Sequence, residues 1–177
     1  PVAVPLTEQK FCLDVDLLKQ ALTSRTRALM LNTPHNPSGR VFDADELLTI
    51  TDFVVNNNLV LITDEIYEHI IFDGYEHQSV ARFPSLAKRS FVISSFGKTY
   101  HTTGWKVGYC MAPEALMKEF RKTHQYNVFS VNTPIQAAYA EFLKREDEYL
   151  ELRHFYQEKR ERKNDTSAIL YISRNCF

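Results

Sequence analysis

Apolar residues along this chain gather into short continuous runs, separated by stretches with helical spacing. The runs at 28–31, at Leu59-Val60-Leu61-Ile62 and at Phe91-Val92-Ile93 predict three buried strands. The first runs into the turn-rich Asn32-Thr33-Pro34-His35-Asn36-Pro37-Ser38-Gly39. Between the first two runs, Leu47, Ile50, Phe53 and Val54 recur at helical spacing, behind Asp43 or Asp45 as a cap. Continuous apolar strands separated by helices imply a sheet covered on both faces, hence an α/β fold of the three-layer α/β/α kind with a mostly parallel sheet. A further strand at 107–112 follows the third too soon for a helical crossover, so it should run antiparallel. Pro113 suits the first turn of a helix reaching His124, and another helix starts near Pro134 and passes through Leu143. Residues 144–165 are heavily charged, with Leu150, Leu152, Phe155 and Tyr156 interspersed, and predict one long, mostly solvated helix leading out of the domain. Residues 168–173 can form a last strand with no evident partner.

Composition narrows the function classes. A length of 177 residues allows one domain with a sizeable core. The net charge of -1 gives no reason to expect nucleic acid or an acidic membrane as partner. No apolar run approaches the roughly 18 residues that span a bilayer. The opening Pro-Val-Ala-Val-Pro has neither a basic segment nor an apolar stretch behind it, so no signal peptide is expected. Cys12, Cys110 and Cys176 are scattered, which favours a reducing, cytoplasmic setting. His35, His69, His77, His101, His124 and His154 lack ligand spacing, and no metal site is expected. A first residue that is Pro rather than Met suggests a piece of something longer.

The polar residues just beyond each strand carry the candidate chemistry, since ligands of open α/β sheets sit beyond the carboxyl ends of the strands. These are Asn36 after the first strand, Asp64 and Tyr67 after the second, and Ser95 and Lys98 after the third. Singly, each has a plain explanation. Asn-Pro-Ser-Gly is an ordinary turn sequence, Asp64 can cap the segment after it, Tyr67 can be a core aromatic, and Lys98 a solvated loop lysine. Together they offer a carboxamide, a carboxylate, a phenol, a hydroxyl and, with Lys106, two lysines at one sheet edge. Pyridoxal 5'-phosphate requires such a set. Its aldehyde needs a lysine amine for a Schiff base, and its ring nitrogen an acid that keeps it protonated. Its phenolic oxygen needs hydrogen-bond donors, and its phosphate needs hydroxyl and cationic groups.

Three segments carry a family resemblance: Asn-Thr-Pro-His-Asn-Pro-Ser-Gly at 32–39, Thr-Asp-Glu-Ile-Tyr-Glu at 63–68, and Ser-Ser-Phe-Gly-Lys-Thr-Tyr-His-Thr-Thr-Gly-Trp-Lys-Val-Gly-Tyr at 94–109. In order and spacing they resemble fold-type I pyridoxal-phosphate aminotransferases of class I/II, and within these the methionine and kynurenine (glutamine-type) subgroup. The resemblance spans about residues 1–162 and implies the large domain of that fold. It implies Lys98 as the Schiff-base lysine and proton shuttle, and Asp64 as partner of the ring nitrogen. Tyr67 and Asn36 would hydrogen-bond the phenolic oxygen, while Ser95 and Lys106 would hold the phosphate. Most relatives outside the subgroup carry Arg at the last position, so Lys106 would act as a point charge. The resemblance further implies a homodimer in which residues 126–132, with Phe129, reach the neighbouring subunit's pocket. Trp105 is expected to pack near the cofactor end as structure.

The implied organisation is a partial large domain over 1–143, a connecting helix over 144–165, and a tail over 166–177 that departs from the family pattern. The glycine-rich phosphate turn and the ring-stacking aromatic would precede Pro1. The small domain, with the arginine that clamps the substrate carboxylate, would come after the long helix. The implied activity moves an amino group between an amino acid and a 2-oxo acid. A carbon–sulfur β-lyase would need the same residues, and an inactive remnant serving as a binding or dimerisation module would keep only the fold.

Overall fold

The computed structural model describes residues 1–8, 10–145 and 147–166. The expected tail strand at 168–173 lies outside them. A four-stranded sheet runs in chain order: β1 (Ala28–Asn32), β2 (Val60–Asp64), β3 (Ser90–Ser95) and β4 (Gly108–Met111). The first three strands are parallel, and β4 pairs antiparallel with β3. A mostly parallel sheet with one antiparallel strand is thus what the sequence pattern led us to expect.

The parallel crossovers carry helices. Helix α2 (Ala44–Asn56) joins β1 to β2, and α3 (Pro84–Ala87), after a 3-10 turn at Val80–Arg82, joins β2 to β3. Of the two candidate caps it is Asp43 that starts α2. It accepts from the Glu46 N–H (2.9 Å), and Glu46 accepts in return from the Asp43 N–H (3.0 Å), a reciprocal capping box. Parallel steps taken in one direction place their crossovers on one face. There Leu47, Ile50 and Val54 of α2, Val80, and Leu86 of α3 close over Leu31, Leu61 and Val92. A helix the sequence reading did not anticipate, α1 (Val15–Ala21), adds Leu18 to this core. Its start is capped by Asp14, whose side chain accepts from the N–H groups of Asp16 and Leu17.

The opposite face is differently furnished. After the short α4 (Phe96–Thr99) and β4 comes α5 (Glu114–Asn127), and the Phe120 ring of α5 meets Phe91 of that face with centroids 6.0 Å apart. Met30 is nevertheless 71% exposed and Ile93 38% exposed. Helices therefore surround the sheet, but among the described residues the second face is only partly covered.

Helix α6 (Thr133–Phe142) begins as expected, with Pro134 in its first turn and the Asn132 side chain accepting from the Ile135 N–H. The long charged helix is not continuous. It divides into α7 (Asp147–Leu150) and α8 (Leu152–Thr166), with a turn at Glu151. Leu152 is drawn into the interior at 5% exposure while Leu150 stays outside, so the chain turns where one apolar side chain finds burial. Helix α8 is also tied down: Arg160 pairs with Asp73 and lies 4.6 Å from the Phe72 ring, and Gln157 accepts from the Asp73 N–H.

Candidate functional site

Strands β1 and β2 end in register, Asn32 beside Asp64, and β3 runs two residues past Ile93, the partner of Asp64, to Ser95. Everything after these residues is therefore brought to one edge. The first polar link across it comes from Asn32. Its Nδ2 donates to the Asp64 carbonyl (3.1 Å), and its Oδ1 accepts from the Asn36 N–H (2.7 Å). One carboxamide thus fixes both the end of β2 and the start of the loop that carries Asn36.

That loop is folded onto itself. His35 donates its N–H to the Arg40 carbonyl and accepts at its own carbonyl from the Gly39 N–H, while His35 Nδ1 meets Ser38 Oγ at 2.7 Å. Burial lowers the His35 pKa, and a neutral ring suits that contact with a hydroxyl. Asn36 itself is exposed, and its Nδ2 donates to Tyr67 Oη at 3.5 Å. The Lys98 amine lies over the Tyr67 ring, 5.4 Å from its centre. Tyr67 therefore meets both Asn36 and Lys98, and Asn32 ties the Asp64 backbone to the loop that carries Asn36.

Asp64 and Tyr67 stand in a tight turn. Asp64 Oδ1 accepts from the Ile66 N–H (3.1 Å), and Tyr67 and Glu65 carbonyls accept from the N–H groups of Ile70 (2.8 Å) and Glu68 (3.0 Å). The neighbouring Glu68 reaches the opposite side of the sheet edge, where Oε1 accepts from Ser94 Oγ and Tyr109 Oη, each at 2.8 Å. Burial pushes the Tyr109 phenol up to about 12, with the charge of Glu68 adding to the shift and a Ser94 hydrogen bond opposing it.

Ser95 caps α4: its Oγ accepts from the Gly97 N–H (3.0 Å) and donates to the Val107 carbonyl (3.2 Å). This places Ser95 next to Lys106, whose side chain is exposed and whose backbone is left-handed (φ 56°). Two close approaches make the arrangement possible. A Cβ on Gly108 would lie 2.6 Å from the Ser94 carbonyl, and one on Gly97 would lie 3.0 Å from Thr103 Cα. Behind α4, Phe96 packs on Tyr139 (centroids 4.5 Å apart), and Thr102 Oγ1 meets Tyr139 Oη at 2.5 Å. Trp105, half exposed, packs its ring 5.5 Å from that of Tyr139, a structural contact as expected. Residues 126–132 leave Tyr126 88% and Phe129 79% exposed.

The sequence reading did not find Asn32, Glu65 or Glu68. Asn32 opens the Asn-Thr-Pro turn and stands at the last register position of β1, a signal that was available. No helix among the described residues is long and apolar enough to cross a membrane. No cluster of three or more His, Cys, Asp or Glu able to hold a metal occurs among them.

Comparison with known proteins is consistent and specific. The family model for aminotransferase class I and II matches residues 1–172. The chain is 50% identical over 141 residues to the methionine aminotransferase of Escherichia coli K12, covering 79% of this chain and 36% of that protein. It is 45% identical over 134 residues to human kynurenine–oxoglutarate transaminase 1, covering 76% and 32%. Among solved structures, an Escherichia coli protein identified as a methionine aminotransferase superposes with a TM-score of 0.85 at 46% identity, covering 88% of this chain and 42% of that one. The N-succinyldiaminopimelate aminotransferase of Mycobacterium tuberculosis superposes with a TM-score of 0.84 at 41% identity, covering 90% and 42%. The chain thus spans well under half the length of the relatives it matches.

Proposed function

The chain belongs to the class I and II aminotransferases, and from that membership we propose that its sheet edge is the cofactor half of a site moving amino groups between amino acids and 2-oxo acids. The observation that carries this is the meeting of Asn36, Tyr67 and Lys98 beside Asp64. A phenol that meets both a carboxamide and an amine, with Asp64 held at the end of the neighbouring strand by Asn32, is the donor set that pyridoxal 5'-phosphate requires, so the residues present fit the group.

In this reading Asp64 holds the proton on the pyridine nitrogen, and Tyr67 and Asn36 donate to the phenolic oxygen. Ser95 and Lys106 hold the phosphate, Ser95 as a hydroxyl and Lys106 as a point charge. Bound there, pyridoxal phosphate supplies an electron sink for the substrate α-carbon when its proton leaves. Lys98 takes that proton as base and returns one as acid, so its amine must be able to shed a proton. Its position over the Tyr67 face keeps the amine near the ring, and among the described residues no carboxylate pairs with it.

The preferred donors are drawn from amino acids of methionine, kynurenine, glutamine or aromatic type, and the relatives above support the first two. Residues 1–143 are then part of the large domain and 144–165 its charged connection, while the tail at 166–177 has no assigned role. The exposed Tyr126 and Phe129 fit a homodimer contact, and the scattered thiols, with Cys12 and Cys110 free, fit a cytoplasmic setting. The test is product analysis on the complete gene product given pyridoxal phosphate, a 2-oxo acid and, in separate reactions, methionine or a cysteine thioether whose sulfur leaves from Cβ. Transfer of the amino group supports the reading. Release of a thiol, ammonia and pyruvate from the cysteine thioether, without transfer from either donor, would replace it by β-elimination.

A further inference from the structure

Glu65 lies between Asp64 and Tyr67 in the chain, yet its carboxylate turns to the other face of the sheet. It is 1% exposed there, beside core residue Val80. Oε1 accepts from the Val80 N–H (3.1 Å) and the Thr63 hydroxyl (3.3 Å), and Oε2 meets His77 Nε2 at 2.8 Å. Its backbone N–H donates to the Ile93 carbonyl of β3 (2.8 Å). A carboxylate this deep is costly unless donors surround it, and here three do. His77 is committed to this contact: its Nδ1 is buried with no hydrogen-bond partner among the described residues.

Strand pairing of β2 ends at Asp64. Past that point the orientation of Asp64 relative to Tyr67 depends on how residue 65 is held. Any rotation at residue 65 would swing the phenol of Tyr67 away from the Asp64 side of the edge. We propose that Glu65 and His77 are positioning residues, a largely buried pair that fixes the turn carrying Asp64 and Tyr67 from the core face of the sheet. The inference rests on the cofactor reading above and adds residues that touch neither cofactor nor substrate.

The test uses the complete gene product with pyridoxal phosphate as probe. The measurements are the dissociation constant, the circular dichroism of the bound cofactor's visible band per molecule bound, and the apoprotein melting temperature. The variants are Glu65→Gln, His77→Gln and the double variant, with Leu86→Ala as a control that loosens the same core. Each single variant should weaken cofactor binding about tenfold or more, as loss of a charged, buried hydrogen bond implies, and should change the dichroism per bound cofactor. The double variant should lose little more than either single one, because the two residues act as a unit. Leu86→Ala should lower melting and leave the dichroism unchanged. Wild-type affinity and dichroism in both single variants, or changes matched by Leu86→Ala, would overturn the positioning role. A wild-type protein that takes up no pyridoxal phosphate would refute the site reading itself.

Discussion

The Asn36 carboxamide donates to the Tyr67 hydroxyl across 3.5 Å, joining the loop after β1 to the turn after β2. The two residues are held independently, Asn36 by Asn32 and Tyr67 by the turn hydrogen bonds beyond Asp64. Removing one should therefore leave the other in place. On the proposed reading, in which both serve one oxygen, Tyr67→Phe and Asn36→Ala should each lower kcat/KM by about 10-fold to 100-fold, and the double variant should fall short of the product of the two. Steady-state kinetics of the four proteins checks this, and full additivity would separate their roles.

Asn32 makes a sharper demand, because one side chain serves both Asp64 and Asn36. Asn32→Asp keeps the acceptor for the Asn36 N–H but removes the donor to the Asp64 carbonyl. It also places a second negative charge beside Asp64. Cofactor affinity should fall about tenfold or more, and Asn32→Ala should fall at least as far. Equilibrium dialysis of pyridoxal phosphate against each variant gives the answer, and unchanged affinity in both would remove Asn32 from the site.

Gly108 lies against β3 with no room for a side chain. A methyl group there meets the Ser94 carbonyl at 2.6 Å, a backbone atom that cannot turn aside. In Gly108→Ala the pairing of β3 with β4 must open, at a cost of about 1–3 kcal/mol of stability. The same opening moves Val107 away from Ser95 and so disturbs the Ser95–Lys106 corner. Denaturant melts should register the first effect and phosphate competition against cofactor uptake the second.

Tyr109 contributes to alkaline stability. Burial raises its phenol from 10.0 to about 12 in the folded protein. The raised folded value means the neutral phenol is favoured by folding. That contribution is complete below pH 10, where both states keep the proton, and is lost as pH rises from 10 to about 12. Tyr109→Phe should therefore flatten the fall in stability across this window while forgoing the hydrogen bond to Glu68 at neutral pH. Unfolding free energies measured along an alkaline pH series decide it.

Locality decided which features were legible in the sequence. The strand tips Asp64 and Lys98 stood out because a polar residue after a continuous apolar run has few structural reasons to be there. Strand β4 could be placed because a dozen residues after β3 leave no room for a crossover helix. Glu65 was not legible as an anchor. Its partner His77 is brought to it by the loop between β2 and β3, and neither residue has a local pattern that announces burial. Nor was the turn at Glu151 visible, since charge density is alike on both sides and only tertiary burial of Leu152 sets the break. The half-covered second face was hidden for a related reason. Met30 and Ile93 are as apolar as their buried neighbours, and composition does not tell which face of a continuous run finds a partner.

Lys98 bears the central claim. An ordinary lysine has a pKa near ~10.4, so at neutral pH it is protonated and neither attacks an aldehyde nor accepts a proton well. What the site supplies is placement, over the Tyr67 ring and on a four-residue helix whose start Ser95 caps and whose Phe96 is wedged against Tyr139. Borohydride treatment of the cofactor-loaded complete gene product should therefore fix pyridoxal phosphate on Lys98 and on no other lysine. Lys98→Ala should lower transfer by about 1000-fold or more, as removal of a catalytic base and nucleophile does. The fold and some non-covalent cofactor binding should survive through Asp64 and Ser95. Asp64→Ala should behave differently, with cofactor still fixed on Lys98 by borohydride but turnover poor, because the ring nitrogen loses its acid partner. Peptide mapping separates these outcomes. A reduced adduct on Lys106 or Lys88, or undiminished transfer in Lys98→Ala, would show that the amine at this sheet edge is not the one that does the chemistry.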